Sequence, residues 1–220
     1  MAPQYSHDAE IASIIALAPV IPVLTVRHVE DGVEQAKALV AGGLYAIEVT
    51  LRTPSALAAI EAISRRVPDT IVGAGTIVAA EQIEAAVAAG ARFLVSPGAT
   101  PALAKAARGS PVPFVPGCAT ASEAMALREM GFRTLKVFPA EAVGGARFVA
   151  SLAAPFPDLR FCPTGGIDAA KAPAYLQLPN VACIGGSWML PKDAMARGDY
   201  GVVEALAREA AALTRAFLKA

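Results

Sequence analysis

The sequence predicts a single (β/α)8 TIM barrel of the α/β class, preceded by an N-terminal helix. Three observations carry that expectation. Eight short runs rich in Val, Ile, Leu and Phe alternate with Ala-rich amphipathic stretches, spaced about 20–25 residues apart, as parallel βαβ units require. Eight such units within 220 residues fit a closed barrel better than an open sheet. The open doubly wound alternative would place G-x-G-x-x-G after the first strand, and the stretch from Val20 to Asp31 holds no glycine.

The elements follow in order. Residues 1–19 form a helical extension, its helix capped near Asp8. The apolar run Ile11–Val26 falls short of the ~18–20 residues of a membrane span, and Pro19 and Pro22 break it. Met1 to Glu10 contains His7, Asp8 and Glu10 but no Lys or Arg, unlike the start of a signal peptide. A cytoplasmic location is expected. The barrel occupies residues 20–190, with strands at Val20–Val26, Leu44–Thr50, Thr70–Gly75, Arg92–Ser96, Pro113–Gly117, Thr134–Phe138, Arg160–Pro163 and Val181–Gly185. Helices lie between them near Val33–Ala41, Ser55–Arg66, Ala80–Ala89, Pro101–Ala107, Ser122–Met130, Ala146–Leu152 and Ala169–Leu178. A helical segment, 191–220, contains a closing helix from Tyr200 to Leu218. No linker or low-complexity tract divides residues 1–220, so one domain is expected.

Composition narrows the function classes. Lys+Arg and Asp+Glu both number 19, leaving no basic field for a nucleic-acid backbone and no polybasic or acidic patch for a membrane. The cysteines Cys118, Cys162 and Cys183 are isolated, without C-x-x-C, and each sits in or beside an apolar run where a thiol acts as a small hydrophobe. With only His7 and His28 available, a His-rich metal site cannot be built, and carboxylates show no clustered spacing. No metal and no cofactor is expected.

In such a barrel, ligands sit where the strands end, so polar residues there matter most. They are Thr25, Arg27, Glu48, Thr50, Arg52, Thr76, Ser96 beside Pro97, Thr120, Lys136, Thr164 and Ser187. Lys136 stands in an otherwise uncharged strand, TLKVFP. Burial disfavours an ammonium, and a neutral amine is what a Schiff-base nucleophile requires. The alternative is a lysine on an edge strand or one that snorkels to water. Glu48 is a second charge in an apolar strand, either a structural partner for the amine or its proton shuttle. Arg52 offers a fork for a carboxylate with the Thr76 hydroxyl beside it, though a solvated arginine would look the same. Gly73-Ala74-Gly75 brings backbone close to the occupant of the site. The exits Thr164-Gly165-Gly166 and Gly185-Gly186-Ser187 follow strands seven and eight, where barrels often bind phosphate through backbone amides; paired glycines also make plain turns. Together these groups describe a phosphorylated keto acid.

At this point the sequence resembles the KDPG/KHG aldolase family, class I lyases that act on 2-keto-3-deoxy-6-phosphogluconate in the Entner–Doudoroff pathway. The resemblance runs from Val20 to the closing helix and rests on EVTLRT (48–53), GAGT (73–76), SPG (96–98), KVFPAE (136–141), RFCPTGGI (160–167) and CIGGSW (183–188) in order. It implies that Lys136 forms the imine and Glu48 is the general acid/base. Arg52 and Thr76 would hold the pyruvate carboxylate, and Pro97 and Phe138 would form the apolar wall. Thr164, Gly165, Gly166, Gly186 and Ser187 would take the phosphate. It also implies cleavage to pyruvate and glyceraldehyde 3-phosphate, 4-hydroxy-2-oxoglutarate as a second substrate, and a homotrimer. The rival readings are an aldolase for the 6-phosphogalactonate epimer, a metal-free sugar-phosphate isomerase, and a non-catalytic phosphate-binding barrel in which Lys136 and Glu48 form a structural ion pair.

Overall fold

Runs rich in β-branched residues become strands and Ala-rich stretches become helices, as their propensities favour. The structure is a computed structural model and describes residues 7–215. It begins with α1 (Asp8–Ala16), β1 (Val20–Leu24), α2 (Val29–Ala41), β2 (Ala46–Thr50), α3 (Ala56–Arg66), β3 (Ile71–Gly75) and α4 (Glu81–Ala88). There follow β4 (Leu94–Val95), α5 (Pro101–Arg108), β5 (Phe114–Val115), β6 (Gly117–Cys118), α6 (Ala121–Glu129), β7 (Thr134–Val137) and α7 (Gly145–Ser151). The chain ends in β8 (Arg160–Pro163), α8 (Ala172–Leu176), β9 (Ile184–Gly186), α9 (Lys192–Ala196) and α10 (Tyr200–Ala211). Side-chain caps set several helix starts. Thr100 accepts from the Leu103 amide ahead of Pro101, and Thr120 and Glu123 form a capping box.

All strand pairs are parallel. One ladder runs β5-β4-β3-β2-β1-β9 and a second runs β6-β7-β8. Two isolated bridges, Phe161 with Val181 and Thr164 with Gly185, link β8 to the segment of β9. The expected strand Pro113–Gly117 is thus observed as two short pieces divided at Pro116. Proline has no N–H for a ladder, yet the Pro116 carbonyl still accepts from the Lys136 amide at 2.8 Å. The architecture is an α/β fold built on a curled parallel sheet.

Alternation along the strands separates two apolar cores. Ile47 and Val49 face outward and pack with Leu24, Ile60 and Ile63 in the larger cluster. Ala46 faces inward with Ile21, Phe93, Val95, Val115, Cys162 and Cys183. Ile11, Ile14 and Ile15 of α1 join this inner cluster, to which the first residues of β2 and β3 belong, so α1 plugs the end where the strands begin. Burying each such side chain contributes roughly 1.5–3 kcal/mol. Arg215 fixes the plug. Its guanidinium donates to the carbonyls of Ile15, Ala16, Ala18 and Ala182 at 2.8–3.3 Å. The closing helix ends at Ala211, short of the expected Leu218, and the chain then turns to let Arg215 reach those carbonyls. Residues 216–218 of the expected helix, like residues 1–6 of the extension, lie outside the described residues.

Candidate active site

Lys136 occupies the third position of β7, between Gly117 of β6 and Cys162 of β8 in register. Glu48 holds the third position of β2, between Val23 and Gly73. The two strands are not neighbours in the sheet, so these side chains meet across its interior. Lys136 Nζ donates to Glu48 Oε1 at 3.2 Å and lies 3.5 Å from Oε2, with both side chains 4% exposed. At that burial the pair is only weakly screened by water. Transfer of one proton would convert ammonium and carboxylate into amine and acid without a change of net charge.

Glycines on β3 make the room. A methyl on Gly75 would lie 2.0 Å from Glu48 Oε1, and one on Gly73 would meet the Phe93 ring at 2.4 Å. Sequence reading assigned this open face to the occupant of the site; the space is taken by the chain's own carboxylate and an aromatic floor. Two glycines of like parity on one strand were the available signal that large groups face it.

The remaining expected residues line the strand exits. The Arg52 Nε donates to Thr76 Oγ1 at 3.1 Å. Thr76 has φ 62°, a left-handed conformation that costs a β-branched residue about 1–3 kcal/mol and is typically retained at functional sites. The Phe138 ring centroid is 5.4 Å from Lys136 Nζ, and Gly165 packs on the same ring. Pro97 crosses over Gly117, where a Cβ would come within 2.3 Å of its backbone, and so borders Lys136 through that register partner. Thr164 is buried against Gly185, the bridge that sets the exits of β8 and β9 side by side. Gly186 yields space to the Trp188 ring, and Gly166 lies against the stem of Glu141. Ser187 lines a cavity of about 570 Å³ that opens at the exits of β1 and β9 with Val23, Thr25, Arg27, His28 and Lys192. Among the described residues no hydrogen bond or ion pair joins the Arg52–Thr76 pair to Lys136. They are connected through Gly75, which precedes Thr76 and abuts Glu48.

The three cysteines are buried. Cys183 Sγ and Cys162 Sγ are 3.2 Å apart beside Lys136, and this contact and burial push the Cys183 thiol well above its ordinary range. Burial pushes Cys118 up to about 12. At neutral pH both stay protonated and behave as apolar filling. Sequence reading gave no role to Glu141, Lys171 and Tyr175, which cluster at the exit of β8. Glu141 closes the KVFPAE motif, but the three stand far apart in sequence and only the fold brings them together.

Residues 11–206 match the sequence profile of the KDPG and KHG aldolase family. The KHG/KDPG aldolase of Escherichia coli (strain K12) is 50% identical over 198 residues, covering 90% of this chain and 93% of that protein. The solved 2-keto-3-deoxy-6-phospho-gluconate aldolase from Zymomonas mobilis superimposes with a TM-score of 0.90 at 46% identity, covering 94% of this chain and 98% of that one. The KDPG aldolase from Legionella pneumophila, with pyruvate captured at low pH as a covalent carbinolamine intermediate, superimposes with a TM-score of 0.89 at 42% identity. That match covers 91% of this chain and 98% of that one.

Proposed function

This chain belongs to the KDPG and KHG aldolase family, and we propose that it cleaves 2-dehydro-3-deoxy-6-phosphogluconate to pyruvate and glyceraldehyde 3-phosphate through an imine on Lys136. It is an aldehyde-lyase, and relatives named for both KHG and KDPG support 4-hydroxy-2-oxoglutarate as a second substrate. The observation that carries the reading is the buried Lys136–Glu48 pair, 3.2 Å apart.

The reaction follows from the roles of these groups. Glu48 takes a proton from Lys136, and the free amine adds to the C2 ketone to give a carbinolamine. Glu48 returns that proton to the carbinolamine hydroxyl, which leaves as water; the product is a protonated imine, an electron sink beside the bond to be broken, and Glu48 is again a carboxylate. Glu48 accepts the C4 hydroxyl proton as the C3–C4 bond breaks, and its electrons pass into the imine to form an enamine. Protonation at C3 and addition of water release pyruvate and restore the amine. Arg52 and Thr76 hold the carboxylate, with the strained Thr76 keeping its hydroxyl at the guanidinium. Phe138 and Pro97 shield the reacting carbons. Thr164, Gly165, Gly166, Gly186 and Ser187 bind the phosphate where the exits of β8 and β9 adjoin.

The finer architecture belongs to the same proposal. β5 and β6, divided by Pro116 alone, count as one strand, and the β8–β9 bridges close a (β/α)8 barrel within one domain. A cytoplasmic homotrimer is the working form. No helix of the described residues is long and apolar enough to cross a membrane.

Borohydride trapping with pyruvate, followed by peptide mass mapping, tests the mechanism. We expect a pyruvate-derived adduct on Lys136. An adduct on another lysine would overturn the site, and none from folded protein would sink the imine.

A further inference from the structure

Three consecutive carbonyls at the exit of β8 are tied to one side. Thr164 O accepts from the Ala140 amide at 2.8 Å, Gly165 O from the Glu141 amide at 3.1 Å, and Gly166 O from Lys171 Nζ at 2.9 Å. In a trans peptide the N–H of each next residue points opposite to the carbonyl before it. The amides of Gly165, Gly166 and Ile167 are therefore turned to the other side, toward the exit of β9, which the Thr164–Gly185 bridge places alongside. Among the described residues nothing accepts from the Gly166 or Ile167 amide. Consecutive amides aimed at one point form an anion-binding concavity.

Of the three anchors, the Gly166 carbonyl is held by a side chain rather than a backbone amide, and that side chain is itself held. Lys171 Nζ also lies 3.3 Å from Glu141 Oε2 and 3.8 Å from Asp168 Oδ2. The other carboxylate oxygen of Glu141 accepts from the Tyr175 hydroxyl, and Tyr175 is 1% exposed. The stem of Glu141 lies against Gly166, leaving a Cβ there only 2.8 Å of room. Gly165 and Gly166 have φ of 105° and 80°, so the loop can take conformations closed to other residues and needs external restraint to keep one. The Tyr175 hydroxyl first, and then Lys171, hold the Glu141 carboxyl below its usual range, while burial pushes the Tyr175 phenol up. At neutral pH the phenol thus donates to a carboxylate.

We propose that Tyr175, Glu141 and Lys171 form a relay of positioning residues that aims the Gly166 and Ile167 amides at the substrate phosphate. This rests on the phosphate assignment above. The relay touches no reacting atom and sets affinity for the phosphorylated end alone.

The test compares wild type, Lys171→Met, Lys171→Arg and Tyr175→Phe. The readouts are inhibition by inorganic phosphate, KM and kcat for the phosphorylated keto acid, and borohydride trapping with pyruvate alone. Expected are a rise of about tenfold in the phosphate inhibition constant and in KM for Lys171→Met, and of about threefold for Tyr175→Phe. Lys171→Arg should restore most of the loss, with kcat and pyruvate trapping close to wild type throughout. Tyr175→Phe changes no charge. If Lys171→Met alone weakens phosphate, the lysine acts as a direct charge and the relay is overturned. It is equally overturned if kcat and trapping fall in step with affinity, which marks general loss of structure, or if no variant changes. Wild-type enzyme insensitive to inorganic phosphate and indifferent to the substrate's phosphate would instead refute the phosphate assignment itself.

Discussion

Gly75→Ala is the most direct perturbation of the buried Lys136–Glu48 pair that leaves both of its members in place. The added methyl would lie 2.0 Å from Glu48 Oε1 and 2.5 Å from its Cδ, whereas ordinary contact begins near 3.4 Å. The carboxylate must therefore retreat by about 1.4 Å. Closing on Lys136 absorbs little of this, since Nζ is already at 3.2 Å and charge-assisted hydrogen bonds stop near 2.7–2.9 Å. The rest must come from rotating Glu48 out of its position. Overpacking of this kind costs about 1–3 kcal/mol, and a misplaced general acid/base loses about 10²–10⁴ in rate. Gly73→Ala is the control, placing its methyl 2.4 Å from the Phe93 ring rather than against Glu48. The assay is kcat for cleavage beside Tm and pyruvate trapping. Gly75→Ala should lose kcat by at least about 10² while remaining folded, and Gly73→Ala should lose Tm with a smaller fall in kcat. A folded Gly75→Ala enzyme within about threefold of wild-type kcat would refute the role given to the Glu48 position.

Three further outcomes follow from the same geometry. Lys136→Met should abolish the pyruvate adduct and lower stability by about 3–5 kcal/mol, because Glu48 is left buried without its cation; Lys136→Met/Glu48→Leu should regain that stability and stay inactive. Denaturant unfolding checks both, and an active Lys136→Met enzyme would end the imine mechanism. Thr76→Gly should relieve about 1 kcal/mol of backbone strain, so Tm should hold or rise, while KM climbs through loss of the hydroxyl that Arg52 Nε reaches; a falling Tm with unchanged KM contradicts this. Asp158 is held below its usual range mainly by Arg128, whose Nε is 2.9 Å from both oxygens. A lowered carboxylate stabilises the fold above its unfolded value near 3.9 and loses that contribution as pH falls through the lower folded value. Asp158→Asn should thus cost less than about 1 kcal/mol at pH 6, the pair being partly exposed, and less still at about pH 3, below the unfolded value. An equal cost at both pH values would refute the linkage.

Much of this was legible in the sequence, for local reasons. Val/Ile-rich runs and Ala-rich amphipathic stretches depend on residues a few positions apart, so strands and helices are readable one segment at a time. Isolated charges in apolar strands pointed to Lys136 and Glu48 by the same local logic. Pro116 was equally visible, but the loss of one N–H divides a ladder only where a partner strand asks for that donor. The closing helix ran too long in the sequence reading because its apolar periodicity continues. The chain leaves the helix at Ala211, and Arg215 then donates to the Ile15 and Ala16 carbonyls, a contact about 200 residues distant in sequence.

The site shows the same limit in sharper form. Alternation tells that Glu48 faces the interior with Ala46 and Thr50, and Lys136 with Thr134 and Phe138, but not that the two will meet. Their contact spans 88 residues of sequence and exists only once the sheet has curled. The glycines carry this information in negative. Gly75 matters for the carboxylate placed over it and Gly73 for the Phe93 ring, so each is the imprint of a residue on another strand. Gly186, expected at the phosphate, is first of all the imprint of Trp188. A glycine on an inward strand position is therefore best read as a question about what fills the space. For Gly75 the filling group is the carboxylate proposed as acid/base, which is why a single methyl there tests the mechanism.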